Sequence, residues 1–182
     1  FWFLSQRTNC RIFQDLSVID IAREVFAEYG ALADARFEVS EGRYPPLPYC
    51  VQYNESDFDF VSRLFEDAGI HYRFEHAEQA HTLVASDDST QCPAQPEDAQ
   101  IRFHSDQSVL EEDVMDHWTA RRSVGATVVA LKTFDFKQPR NPLAARIESA
   151  VPRGLLPPFE HYEYDGVAGF IDAGRGDLRA NV

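Results

Sequence analysis

The order of apolar and polar positions predicts a strand, a helix and a second strand in the first half of the chain. Residues 49–53 alternate as in a half-buried strand, and residues 70–74 alternate again after the helix. Ser56 and Asp59 have the spacing of a capping box at the helix start, and Gly69 can adopt the left-handed conformation that ends the helix. The apolar face of this helix is predicted to consist of Phe60, Val61, Leu64, Phe65 and Ala68.

An earlier segment carries the same helix signals. Ser17 and Asp20 repeat the capping spacing, and Gly30 is predicted to end the helix. Residues 82–85 are expected to pair with residues 70–74 in a hairpin. The apolar stripe of the earlier helix is Val18, Ile21, Ala22, Val25, Phe26 and Tyr29.

The second half of the chain is rich in β-branched and aromatic residues. Residues 114–124 and 126–136 are two such runs on either side of Gly125, and they predict a long antiparallel hairpin. Residues 143–160 contain several prolines and are predicted to form a loop. Residues 159–164 are predicted to form a further strand.

Helices in the first half and long strands in the second predict an α+β fold that is mostly β. A chain of 182 residues can hold two small domains. We place the first in residues 1–105, with two helices and a strand hairpin, and a second, β-rich one in residues 106–182. The chain does not begin with Met and starts like the middle of a strand, so we interpret it as part of a longer protein.

The charge balance narrows the classes of partner. Lys and Arg number 17 against 30 Asp and Glu, which gives a net charge of −13. Because a phosphate backbone requires a cationic surface, this balance argues against nucleic-acid binding. No apolar run approaches the ~20 residues that span a bilayer. The three cysteines form no CxxC motif, which favours buried thiols in a reducing compartment.

The histidines were considered as metal ligands. His71, His76 and His81 are spaced by five residues, and His104 follows further along. A catalytic zinc site uses about three protein ligands and an open position. A spacing of five places successive residues on opposite faces of a strand, and side chains at a hairpin tip are expected to diverge. We therefore interpret these histidines as solvated.

The carboxylates were considered as a glycosidase pair, which requires two carboxyl groups held across a cleft with distinct pKa values. Pairs of this kind arise by chance in an acidic chain. Asp57 and Asp59 lie in the first turn of the predicted helix, where the helix dipole favours negative charge. The candidate groups are Asp57 with Asp59, the run Glu111-Glu112-Asp113, and Glu163 with Asp165.

A nucleophile is not indicated either. Cys50 lies between Tyr49 and Val51 in a predicted strand, as a packed and inert thiol would. The chain contains no GxSxG motif and no phosphate-binding GxxxxGK[ST] motif. We predict no catalytic, cofactor-binding or metal-binding residues, and no enzyme activity.

Aromatic residues make up 13% of the chain, which is enough for two small cores. Some can instead belong to an assembly surface, since aromatic residues are enriched at the centres of interfaces. For Trp118 we favour a place in the core of its strand over a place between subunits. We interpret Arg121-Arg122 as a solvated edge rather than as a source of salt bridges between subunits.

Several motifs, in the same order along the chain, resemble the hub part of VgrG spike proteins of bacterial type VI secretion, which is similar to the baseplate hub of contractile phage tails. They cover most of the chain. The motifs are Cys10-Arg11-Ile12-Phe13-Gln14-Asp15, Tyr49-Cys50-Val51-Gln52-Tyr53, Glu55-Ser56-Asp57-Phe58, Phe60-Val61-Ser62-Arg63-Leu64, Gly69-Ile70-His71-Tyr72, Asp116-His117-Trp118 and Asp135-Phe136-Lys137-Gln138-Pro139.

The resemblance implies a structural hub with two barrel-like domains per subunit and helical insertions. It implies a homotrimer that adapts a six-fold tube of Hcp-like subunits to a three-fold spike, and that helps to deliver effector proteins. It implies assembly in the bacterial cytoplasm, followed by secretion or delivery into target cells. It also implies a helix after residues 162–164, of which residues 177–180 are expected to be the first turn.

Two other functions remain open from the residues alone. One is a hydrolase domain that acts on the cell wall, which would require a converging carboxylate pair in a cleft. The other is a monomeric adaptor that binds an effector, which would show an exposed apolar patch but no trimer in solution.

Overall fold

A computed structural model describes residues 1–40, 42–93, 102–104, 114–141, 143–150, 157–167, 169–170 and 172–181. Within it the chain forms two compact units, Phe1–Gln91 and Cys92–Ala180. Among the described residues, no helix has the length and apolar composition that crossing a membrane requires.

The described residues of the first unit form two α-helices, five strands and three short 3-10 helices. In chain order its main elements are β1 (Thr8–Phe13), α1 (Val18–Ala27), β2 (Ala35–Glu38), β3 (Cys50–Ser56), α2 (Asp57–Ala68), β4 (His71–Ala77) and β5 (Ala80–Ser86). The 3-10 helices are Trp2–Gln6, Gly30–Leu32 and Ser89–Gln91.

Both helices begin as their capping residues predict. The Ser17 hydroxyl accepts from the backbone N–H of Asp20 at 3.1 Å, and the Ser56 hydroxyl accepts from that of Asp59 at 3.0 Å. Gly69 ends α2 with φ +69°, as predicted. Helix α1 ends at Ala27, earlier than predicted, because the chain continues into the 3-10 helix that starts at Gly30.

Two small sheets pack with these helices. Strands β1 and β3 form an antiparallel pair, and β2, β5 and β4 form a three-stranded sheet in that order. The predicted hairpin is confirmed, since β4 and β5 are antiparallel partners from His71–Ser86 to Ala77–Ala80. The core includes Leu4, Phe13, Ile21, Val25, Phe26, Phe60, Phe65 and Leu83.

The described part of the second unit contains a three-stranded sheet and one helix. Its elements are β6 (Val128–Phe134), β7 (Leu143–Glu148), β8 (Glu160–Val167) and α3 (Ala173–Ala180). The central strand β6 pairs antiparallel with β7 and parallel with β8. A small core of Leu131, Ala145, Phe170 and Ala180 lies between sheet and helix. The expected helix near the end of the chain is present as Ala173–Ala180, so residues 177–180, expected as its first turn, form its last turn.

The predicted hairpin around Gly125 is wrong. Residues 116–126 belong to no strand, and Met115 makes only an isolated bridge with Phe103. The antiparallel partner of β6 is instead β7, at residues 143–148, which we had assigned to a loop. Strand propensity marks residues that suit a pleated surface, but it does not identify the partner strand, and packing against α3 favours Leu143–Glu148.

The predicted fold class, α+β and mostly β, is confirmed. The described strands form one two-stranded and two three-stranded sheets, and none of these closes on itself within the described part of the chain.

Candidate functional site

The direct passage from β3 into α2 places one carboxylate in the interior of the first unit. Strand β3 ends at Ser56 and helix α2 begins at Asp57, with no loop between them. The Asp57 side chain is 0% exposed. A buried charge is tolerated only when it is paired and hydrogen-bonded.

Four side chains satisfy the Asp57 carboxylate. Arg7 Nε and the Tyr29 hydroxyl donate to Oδ2 at 2.8 and 2.7 Å. Arg11 Nη2 and Gln52 Nε2 donate to Oδ1 at 2.6 and 2.7 Å. We call these five residues the Asp57 cluster. They come from β1, β3, α2 and the segments flanking α1 and β1, so the cluster ties these parts of the chain together.

A second carboxylate balances the charge of the Asp57 cluster. Glu28, just after α1, forms salt bridges with both Arg7 and Arg11. The Arg7 guanidinium lies 5.0 Å from the centre of the Tyr29 ring, which adds a cation–π contact. Both ends of the Gln52 amide form hydrogen bonds in the cluster, since Nε2 donates to Asp57 and Oε1 accepts from Arg11 Nε at 2.8 Å.

The cluster shifts the pKa values of Asp57 and Tyr29 in opposite directions. Burial by itself raises the pKa of Asp57, but the hydrogen bonds from Tyr29 and Gln52 and the charge of Arg11 outweigh it, so the pKa is lowered. Burial, together with the hydrogen bond to Asp57, raises the pKa of Tyr29 to about 12. Asp57 therefore stays ionised and Tyr29 stays neutral near pH 7.

These contacts assign Asp57 a structural role rather than acid–base chemistry. Its oxygens are occupied by donors, and a general acid or base needs access to the substrate. Asp59 is exposed and accepts a hydrogen bond from the Ser56 hydroxyl at 2.7 Å. The two carboxylates thus do not face each other across a cleft. The sequence indicated only one feature of this cluster, the favourable position of Asp57 at the start of a helix. Arg7 and Arg11 lie 50 and 46 residues from Asp57 in the chain, so no local pattern connects them with it.

The candidate nucleophile Cys50 and the remaining candidate carboxylates, Glu163 and Asp165, lie in different parts of the chain. Cys50 is buried, and burial raises the pKa of its thiol, which disfavours the reactive thiolate. Glu163 is exposed on β8. Asp165 forms a salt bridge with Arg179 at 3.2 Å. Residues 111–113 lie outside the described residues.

The structure corrects our expectation for one pair of histidines. His76 and His81 are direct partners in the β4–β5 ladder, so they lie on the same face instead of diverging. The hairpin turn is short and the strands stay paired up to it, which keeps the two side chains together. His71 is on the opposite face, opposite Ser86. In the described part of the chain, no three His, Cys, Asp or Glu residues are grouped so that they could hold a metal ion.

Exposed apolar side chains form a different kind of candidate site. Cys10 faces Tyr53 and Ile12 faces Val51 across the β1–β3 pair, on the side away from the Asp57 cluster. We call these four residues the outer face of β1–β3. Tyr53 is 79% exposed and Ile12 is 59% exposed. Exposed aromatic and aliphatic side chains grouped on one face are typical of interaction surfaces.

Trp118 was expected in the core, and this prediction is wrong. Its side chain is 74% exposed. Residues 116–126 form no strand, so Trp118 is not the core residue of a strand as predicted. The arginines at 121 and 122 are exposed in the same segment, as expected.

The family described as the phage tail baseplate hub (GPD) matches residues 1–182. The chain belongs to the phage tail baseplate hub family. It is 40% identical to the type VI secretion system spike protein VgrG4b of Pseudomonas aeruginosa over 97% of the chain and 21% of that protein. It is 36% identical to VgrG5 of the same organism over 90% of the chain and 21% of that protein.

The resemblance of this baseplate hub family member to VgrG spike proteins is therefore confirmed. The chain spans about a fifth of the length of the VgrG relatives it matches. A solved structure of the E. coli c3393 protein, described as a component of the type VI secretion system, matches 51% of the chain and 27% of that protein, with 26% identity and a TM-score of 0.47.

Proposed function

We propose that this chain is a structural hub segment of a type VI secretion spike protein. The observation that carries the proposal is the family match over residues 1–182, together with 40% identity to VgrG4b over 97% of the chain. The Asp57 cluster also supports a structural role, because the buried Asp57 carboxylate binds side chains from several parts of the first unit and holds them together. We infer no enzyme activity for this segment.

We further propose that three copies associate into a ring. Two hub domains per subunit would give pseudo-sixfold symmetry, which matches a six-fold tube of Hcp-like subunits on one side and a three-fold spike on the other. A closed ring needs self-complementary surfaces rather than a catalytic cleft. The exposed outer face of β1–β3 and the exposed Trp118 support this proposal, because an assembly surface needs apolar side chains accessible in the single chain.

The division into hub domains at residues 1–105 and 106–182 belongs to the same proposal. The compact units Phe1–Gln91 and Cys92–Ala180 support a boundary in this part of the chain. Each unit has β-sheet structure and a hydrophobic core of its own, as an independent hub domain requires.

Delivery follows from the proposed assembly. The hub would assemble in the bacterial cytoplasm with its spike and effector proteins, and would then leave through the type VI apparatus. This part rests on the similarity to VgrG spike proteins.

The deciding experiment is the mass in solution by light scattering over a range of concentrations. We expect a species of three times the chain mass, which grows with concentration if the association is weak. A mass of one chain at every concentration would contradict a trimer formed by this chain and would favour the monomeric adaptor. A hydrolase would instead release soluble fragments from purified peptidoglycan, and we expect no release.

Substitutions locate the surface. Tyr53→Ser removes the most exposed side chain of the outer face of β1–β3, and Trp118→Ser removes the exposed indole. Leu32→Ser is the matched control, because Leu32 is similarly exposed but belongs to neither surface. We expect at least one of the first two to reduce the trimer fraction while the control leaves it unchanged.

A further inference from the structure

We propose that His76 and His81 form a binding site for a divalent transition-metal ion at the tip of the β4–β5 hairpin. The two residues are direct partners in the antiparallel ladder, one pair away from the turn at Ala77–Ala80. Side chains opposite each other in such a ladder share one face, with Cβ atoms about 4.5–5.5 Å apart. Imidazole is a ligand suited to zinc, copper and nickel.

The spacing of the two rings fits one shared ion. The ring centres of His76 and His81 are 6.1 Å apart, with an angle of 48° between the planes. A zinc–nitrogen bond is about 2.0–2.1 Å and a ring centre lies about 1 Å behind its nitrogen, so two imidazoles on one ion have centres roughly 4.5–6.5 Å apart. Both side chains are exposed, so the small rotations that aim the nitrogens at the ion need no rearrangement of the buried core.

The base of the hairpin is held by aromatic packing on the same face. The Phe74 ring centre is 6.3 Å from each of the two histidine rings. Phe74 in turn contacts Tyr72 at 5.9 Å and Phe1 at 6.4 Å, and this row reaches the core of the first unit. A backbone fixed before binding reduces the entropy lost when the second ligand coordinates.

The site is expected to be open and of moderate affinity. No third side chain completes a ligand set within the described residues, so water would fill the remaining positions. Chelation by two ligands on one hairpin still exceeds binding by a single histidine, because the second coordination is intramolecular. The two histidines lie in one hairpin of one chain, so the site does not depend on the proposed trimer.

The test is a zinc titration by calorimetry, using the 182-residue chain without an affinity tag. Cys10 and Cys92 are exposed, so they are first alkylated under native conditions to remove competing thiols. We expect one ion per chain at this site, and we expect His76→Ala and His81→Ala each to weaken binding at least tenfold. His161→Ala is the matched control, because His161 is exposed on β8 with Val129 opposite it, and it should leave binding unchanged.

Two further measurements keep the result interpretable. Unfolding curves without metal should be the same for the alanine variants and the wild type, since both histidines are exposed at the tip. Paramagnetic Cu²⁺ should broaden amide NMR signals of residues 75–82 first. Equal zinc affinity in all variants, or no binding up to about 1 mM zinc, would overturn the proposal.

Discussion

The Asp57 cluster gives the sharpest prediction for stability. Replacing Asp57 by Ala removes a carboxylate that is 0% exposed and leaves its four donors without their acceptor. Arg11, with a side chain 18% exposed, and Gln52, at 0%, cannot regain full hydration. Breaking a buried ion pair by removing one partner costs about 3–5 kcal/mol, and we expect Asp57→Ala to lower the free energy of unfolding of the first unit by this amount.

The assay must report on the first unit alone, because two units can unfold separately. Cys50 is buried in the first unit, whereas Cys10 and Cys92 are exposed. A brief alkylation pulse at increasing urea, followed by peptide mass spectrometry, therefore measures unfolding of the first unit through Cys50. The two exposed cysteines serve as internal controls, because they should be labelled at every urea concentration.

Asp59→Ala is the matched control at the same helix start. Asp59 is exposed and its carboxylate accepts a hydrogen bond from the Ser56 hydroxyl, so its loss should cost about 1 kcal/mol or less. The reasoning is refuted if Asp57→Ala destabilises the first unit no more than Asp59→Ala.

Because the pKa of Asp57 is lowered by folding, its stabilising effect is present above about pH 4, the value for an unfolded aspartate, and is lost as the pH falls through the lower folded value.

Other substitutions test the caps and the tyrosine. Ser56→Ala removes the cap of α2 and should cost about 0.5–2 kcal/mol. Ser62→Ala, in the same helix, removes a buried hydroxyl that has no hydrogen-bond partner among the described residues, so it should be neutral or stabilising. Cys50 labelling measures both, and equal losses would contradict the capping argument. Gly69→Ala should cost about 1–2 kcal/mol by the same assay, because φ is +69° there, and no loss would be inconsistent with a left-handed strain. The pKa of Tyr29 rises from 10.0 to about 12 on folding, so the stabilising effect is complete below pH 10 and is lost as the pH rises towards 12. Urea unfolding followed by circular dichroism at each pH should show this loss in the wild type and not in Tyr29→Phe.

Short-range signals in the sequence determined the helices and the first hairpin. Ser17, Ser56 and Gly69 marked helix ends correctly, because capping depends on side chains within three or four residues of the atoms they satisfy. The β4–β5 hairpin was predictable for the same reason, since its strands are adjacent in the chain. The ordered motifs along the chain also carried the resemblance to the baseplate hub of VgrG proteins, which the family match confirmed.

Only the tertiary structure decided which distant residues meet. Propensity does not encode the packing that selects Leu143–Glu148 as the partner of β6 or the packing that leaves Trp118 exposed. The donors to Asp57 come from up to 50 residues away, and their contacts exist only once β1 lies beside β3. The pairing of His76 with His81 likewise depends on the strand register, because a shift of one residue would move one side chain to the opposite face.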